Sequence, residues 1–274
     1  FLTILTQAQE GRVAIDSINS TYDEHSPVLS PDGNRLYFTR AGHPANVAGE
    51  IDQGDIWYAE KEGESWFKPQ HAGNQLNHSG LNGVVGFSAD GQRMYLLNYF
   101  DSDGSGGGQL RNGIAVAEKM GNEWSRPERL RIRYFSNDSF YIGATINAEE
   151  NVLILAIKSY ESEGNEDLYV SFKQADGEWS QPENLGAKIN TYGEEWSPFL
   201  AADGETLYFT SNTLGGSGGR DLFMSKRLNG SWKDWSDPVN LGEQINTEGT
   251  ERDFFIPSQG DMAFFSSTQD SEGF

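Results

Sequence analysis

Short runs dominated by Leu, Ile, Val, Phe and Tyr recur along the chain, each closed by Gly, Asp, Asn or Pro, and a helical apolar spacing is almost absent. The pattern is plainest late in the chain. Trp196-Ser-Pro-Phe-Leu200 leads through the turn Ala202-Asp203-Gly204 into Thr206-Leu-Tyr-Phe-Thr210. A glycine-rich loop, Leu214 to Gly219, precedes a third run, Asp221-Leu-Phe-Met-Ser225. Asn229-Gly230 then predicts a tight hairpin, and Trp232 to Leu241 an irregular fourth strand. Equivalent runs begin at Ser26, Arg35 and Asp55, at Gly83, Met94 and Gly113, and at Tyr141, Val152 and Asp167.

The runs follow a period. Trp is followed three residues later by Pro at Trp66/Pro69, Trp124/Pro127, Trp179/Pro182 and Trp235/Pro238, so successive prolines lie 58, 55 and 56 residues apart. A second marker, the turn position at Gly33, Gly91, Glu150, Gly204 and Gly260, steps by 58, 59, 54 and 56. Units of this length with four short strands predict an all-β fold, a β-propeller of four-stranded blades. Five repeats are readable, near 22–75, 78–132, 138–187, 192–243 and 248–274, with 11–19 added to the last. A five-bladed ring is the first reading and a six-bladed parent the alternative.

The ends support closure. Val13 to Thr21 resembles Asn184 to Thr191 and Asn240 to Thr247, the segments that precede the fourth and fifth units. It therefore reads as an outer strand for a last blade whose inner strands lie near 253–257 and 262–266, within one propeller domain over 11–274. Residues 1–10 read as a tail or the remnant of an export segment, Phe1 to Leu5 followed by Thr6-Gln7-Ala8, with a short strand as the other reading.

Composition narrows the function. With 20 Lys and Arg against 41 Asp and Glu the net charge is −21, which disfavours binding to a phosphate backbone, so no nucleic-acid partner is expected. The 16 Phe, 11 Tyr and 7 Trp supply a core despite a modest apolar fraction, and 32 Gly and 9 Pro fit a turn-rich chain. With no Cys there is no disulfide or thiol chemistry. No run of 18 apolar residues predicts a membrane-spanning helix.

The residues at 26–38, Ser-Pro-x-x-Ser-Pro-Asp-Gly-x-x-Leu-Tyr-Phe, and at 196–209, Trp-Ser-Pro-x-x-x-x-Asp-Gly-x-x-Leu-Tyr-Phe, resemble TolB-type, WD-like propeller repeats. Gly177-x-Trp-x-x-Pro-Glu-Asn-Leu-Gly186 is similar to the propeller found beside OmpA-type domains in envelope proteins of Bacteroidota. The resemblance covers roughly residues 12 to 268 and implies a periplasmic or secreted, outer-membrane-associated interaction module within a larger chain or complex. It carries no catalytic residues over, and no residue here matches a peptidoglycan-binding motif.

In a propeller the segments before each first strand converge at the channel. Here they hold Asp23, Glu24 and His25; Asn82; Asp138; Glu194, Glu195 and Trp196; and Glu251 and Asp253, a candidate acidic ring for an envelope protein or glycan partner. The bland alternative is that these residues cap loops. An exported glycoside hydrolase or lyase is the competing function, if two carboxyls lie about 5 to 9 Å apart. Asp101-Ser-Asp103-Gly104 begins like a calcium loop, but its twelfth position is Asn112 rather than an acid; a solvated loop is the plainer reading, with calcium at Asp101 and Asp103 the alternative. No other cofactor is expected. Gly215 to Gly219 lacks the Lys-Ser/Thr of a phosphate loop, and the four His show no zinc-enzyme spacing. No Gly-x-Ser-x-Gly elbow offers a nucleophile, so the sequence favours a non-catalytic protein and nominates no catalytic residue.

Overall fold

A computed structural model describes residues 1–6, 12–63, 65–97, 112–258, 260 and 262–269. They form five antiparallel sheets, one per repeat, and the only helical element among them is a 3-10 turn at Gly49–Ile51. In the first blade Asp23–Leu29, Arg35–Ala41 and Asp55–Glu62 are followed by the short outer strands Ser65–Trp66 and Gln70–His71. The second repeats this plan with Gly83–Phe87, Arg93–Leu97, Ile114–Met120, Glu123–Trp124 and Glu128–Arg129. The third and fourth have four strands each, starting at Gly143–Ile146 and Glu195–Leu200.

The fifth blade is shared between the chain ends, and more deeply than the sequence suggested. Glu251–Phe255 and Met262–Ser267 are its inner strands, Leu2–Thr6 is the third and Arg12–Ala14 the fourth. Leu2–Thr6, read above as a tail with a strand as the alternative, takes the strand form because its backbone pairs with Met262–Ser267 and Leu2 is fully buried. The fifth blade packs face to face on the first, with Leu2 and Phe264 against Leu36, Phe38 and Trp57, so the ring closes at five blades with no blade face open for a sixth.

The core is five clusters, one at each junction between blades. Val28, Tyr37 and Ile56 pack on Val84, Met94 and Leu96 between the first and second. Tyr95 and Ile114 meet Leu153, Leu155 and Trp179 at the next junction, and Ile154 and Val170 meet Phe209, Phe223 and Trp235 after it. Leu222 packs on Phe254 and Phe265, and the ring closes with Leu2 and Phe264 on Leu36, Phe38 and Trp57. The four repeated Trp do join blade to blade: Trp179 and Trp235 are buried in these clusters, and Trp66 and Trp124 pack at their edges. Each buried side chain of this size is worth about 1.5 to 3 kcal/mol.

Two repeated devices set the geometry. At the turn between first and second strands, Gly33, Gly91, Gly204 and Gly260 take positive φ of 66 to 73°, which only Gly adopts without cost. Glu150 stands at the fifth such position with φ 55°. It accepts both Arg93 guanidinium bonds and the Tyr95 hydroxyl from the second blade, so a cost of about 1 kcal/mol in the backbone is offset by an inter-blade ion pair. The second device is the recurring Ile/Leu-Asn segment. Asn19, Asn77, Asn190 and Asn246 each accept from the backbone N–H, and donate to the carbonyl, of one residue in the third strand: Leu2, Ile56, Leu168 and Leu222.

Candidate functional site at the channel mouth

The first strands of all five blades line a cavity of about 360 Å³, and its walls are mainly apolar: Val28, Val84, Val85, Ile142, Phe199 and Phe255. Its polar end is built by a local irregularity. Four first strands carry a β-bulge, one between Val84 and Gly86 and three at equivalent places, between His25 and Val28, Trp196 and Phe199, and Arg252 and Phe255. Ser26, Ser197 and Asp253, equivalent residues two past the repeated Glu, sit in these bulges with φ of 53, 47 and 60°. Positive φ at a non-glycine residue costs energy and recurs at functional sites, where it re-aims a side chain.

The three residues bond to one another. Asp253 accepts from the Ser26 backbone N–H at 3.0 Å through Oδ2 and from the Ser197 hydroxyl at 2.8 Å through Oδ1. Ser197 also contacts the Tyr141 hydroxyl through its Oγ, at 3.3 Å, and its backbone N–H donates to that hydroxyl at 3.2 Å. His25 Nδ1 lies 2.9 Å from Ser26 Oγ and 3.9 Å from Asp253 Oδ2. Arg252 bridges the acids, with Nη2 3.2 Å from Asp23 and Nε 3.6 Å from Asp253.

Burial, reinforced by the Arg252 charge, lowers the His25 pKa to about 4, so the imidazole is neutral at pH 7. Asp23 is held below its usual range: burial works against this, but the nearby His25 and Arg252 outweigh it. Burial, with Asp253 nearby, raises the Tyr141 phenol above its usual value. The mouth therefore holds two acids locked on one guanidinium, a neutral imidazole and a protonated phenol.

The candidate ring divides. Asp23, His25 and Asp253 line the cavity. Glu24, Glu195 and Glu251 do not: all three are buried beneath the loops. Each accepts from the backbone N–H and hydroxyl four residues earlier, at Ser20, Thr191 and Thr247. Arg40, Ser211 and Ser267 complete the three carboxylates. Asn82 is likewise buried, bonded to Asp55, His78 and Gly54. In the structure these four side chains act as loop clamps, with every side-chain oxygen engaged within the chain. Glu194 pairs with Arg220, whose guanidinium lies 3.7 Å over the Trp196 ring; Trp196 in turn stacks on Tyr141 at 4.0 Å. Asp138 is exposed on the loop before the third blade. Asp101 and Asp103 lie outside the described residues, so the calcium reading is not placed.

Sequence reasoning passed over Arg252, Ser26, Ser197 and Tyr141. For the serines a signal was present: counting two residues on from Glu24, Glu195 and Glu251 reaches Ser26, Ser197 and Asp253. At the position of Arg252 the first and fourth blades carry His25 and Trp196, so the repeat offers no signal for an arginine there.

No family model and no curated protein sequence matches the chain. Among solved structures, TolB from Acinetobacter baumannii matches 97% of this chain and 63% of its own, with a TM-score of 0.54 at 13% identity. The chain has a TolB-like β-propeller fold. An exo-β-1,3-galactanase from Clostridium thermocellum, 1,3Gal43A, matches 96% of this chain and 62% of its own, with a TM-score of 0.52 at 11% identity. The chain thus spans less than two thirds of either structure, and at these identities the likeness is one of fold.

Proposed function

We propose that the protein is a non-catalytic propeller of the cell envelope that holds a protein or glycan partner on the face around the channel mouth. The observation that carries this reading is the distribution of exposed apolar side chains. Phe140, Tyr160, Tyr192, Val47 and Ile51 are exposed on loops before first strands or between second and third strands, which emerge on one face, whereas the exposed Val13, Phe67, Met120, Leu228 and Val239 lie on the outer strands and hairpins. Phe140 also lines the cavity. One exposed aromatic at a polar-ended pocket, with two more on loops of the same face, suits binding of a protein or sugar surface.

The electrostatics weigh against hydrolysis. A glycosidase needs one carboxyl kept protonated beside one ionised. In the mouth Asp23 is held ionised and His25 neutral, whereas the carboxyls with raised pKa, Asp167, Glu195 and Asp221, are buried and do not line the cavity. The envelope location, and association with an OmpA-type domain elsewhere in a larger chain or complex, rest on the resemblance of the repeats.

The test is capture from the native envelope fraction by the protein carrying Phe140→Ser, Tyr160→Ser and Tyr192→Ser together, with Met120→Ser on an exposed third-strand end as control. Capture should fall at least tenfold for the triple variant and be unchanged for the control. Equal capture by both would refute the reading. Glu195→Gln and Glu251→Gln are unsuitable for this purpose, since both residues are buried in loop clamps.

A further inference from the structure

At three junctions the residue that opens a third strand lies beside the residue that opens the next blade. Asn82 N–H donates to the Gly54 carbonyl at 2.8 Å, Glu195 N–H to Glu166 at 2.8 Å and Glu251 N–H to Arg220 at 3.0 Å. This shared backbone contact sets Asp55 beside Asn82, Asp167 beside Glu195 and Asp221 beside Glu251, all buried. At the first junction the pair is complete: Asn82 Nδ2 donates to Asp55 Oδ1 at 3.1 Å, and Asp55 Oδ2 accepts from Val47 N–H and His71.

At the other two the partner is a second acid. Asp167 Oδ2 accepts from Glu163 N–H and Asn184, and Asp221 Oδ2 from Gly218 N–H, but Asp167 Oδ1 and Asp221 Oδ1 have no partner and are shielded from water. The facing Glu195 and Glu251 each accept three bonds, the donor set of an ionised carboxylate. No ion pair reaches any of the four acids among the described residues. The nearby charges are acids, Glu163 and Glu166, or cations paired elsewhere: Arg220 through Nη2 with Glu194, its buried Nε having no partner, Arg252 with Asp23 and Asp253, and Lys158 with Asn165. Two adjacent buried carboxylates cannot both stay ionised without a cation or a proton.

We propose that each of these two junctions holds one proton, carried on Asp167 Oδ1 and on Asp221 Oδ1 and shared with Glu195 and Glu251, so that the ring is held more tightly in mildly acidic than in alkaline surroundings. The proton stands where the Asn82 amide stands at the first junction. Burial raises Asp167, Glu195 and Asp221 above their ordinary values, in the same direction. The sign follows from linkage. A carboxyl raised in the folded state contributes stability that is fully present below its unfolded value, 3.8 for Asp, and is lost as pH rises through the folded pKa and the proton leaves to solvent.

The test is urea unfolding between pH 5 and 9 of the wild-type chain and of Asp167→Asn with Asp221→Asn. The Asn amides replace the two protons without titrating. The wild-type folding equilibrium should fall by up to tenfold per pH unit for each pair while the folded chain keeps a proton that the unfolded chain has lost, level off once the pair deprotonates, and the double variant should lack that component. An unchanged pH slope overturns the proposal. An infrared difference spectrum of the wild-type protein at pH 7 should show a protonated carboxyl band; its absence overturns the proposal even if the variants fail to fold. If calcium added at pH 8 stabilises the wild-type protein and not the double variant, a cation holds the pairs and the proton is excluded. None of these readouts depends on partner binding.

Discussion

Asn246→Ala isolates the clamp that, in four of the five blades, fastens the third strand to the loop leading to the next blade. In the wild-type protein Asn246 Oδ1 accepts from Leu222 N–H at 2.8 Å, and Nδ2 donates to the Leu222 carbonyl at 2.9 Å and to Asn240 Oδ1 at 2.8 Å. The losses are unequal. The Leu222 carbonyl keeps a bond from Leu241 N–H at 3.1 Å, and Asn240 Oδ1 keeps one from Gly242 N–H. Only Leu222 N–H is left buried and unpaired, on a residue with no exposure. An orphaned buried donor costs about 1 to 3 kcal/mol, and the two other bonds about 1 kcal/mol each before the surviving partners compensate. The expected destabilisation is about 2 to 4 kcal/mol. Urea unfolding reads it as a lower midpoint at constant slope, since the same surface is exposed. Asn190→Ala, which removes the same set of bonds around Leu168, should cost the same within about 1 kcal/mol. A loss under about 0.5 kcal/mol at both sites would refute the clamp as a structural device.

Glu150→Gln removes the charge that joins the second and third blades while keeping the side chain's length. It should cost about 1 to 2 kcal/mol at pH 7, discounted because Arg93 is partly exposed. Bonds from Arg93 and Tyr95 hold the Glu150 carboxyl below its usual 4.5, so its contribution is present above that value and lost as pH falls through the folded pKa. Acid unfolding curves should show the variant losing less stability below pH 4.5 than the wild-type protein; parallel curves would contradict the pairing. In the channel, Arg252→Met removes the second-largest cause of the low His25 pKa, after burial, so an NMR titration should find His25 shifted upward from about 4. An unmoved His25 would show that burial alone sets it.

Much of the ring was legible because a propeller repeats the same solution five times. Two markers with matching periods fixed the blades, and the apolar runs gave their strands. Leu2–Thr6 was ambiguous for a physical reason: a buried strand and an apolar export segment are both short apolar runs, and only pairing with Met262–Ser267 separates them. The candidate site was legible in place more than in content. The segments before the first strands do converge, but a carboxylate's role depends on which neighbours reach it. Glu24, Glu195 and Glu251 recur because the Ser or Thr four residues before each supplies two donors, a structural periodicity that resembles a functional ring. The mouth was instead set by bulges, which no hydrophobic pattern reveals, and by Arg252, which the repeats do not share.

The most direct measurement is a hydrogen-exchange footprint of the protein bound to its native envelope fraction, compared with the free protein. A channel-face scaffold should gain protection in peptides from the loops around 42–54, 137–142, 158–166 and 190–196, with the outer strands unchanged. Protection confined to the outer strands and the turns on the opposite face, with those loops unaltered, would contradict it.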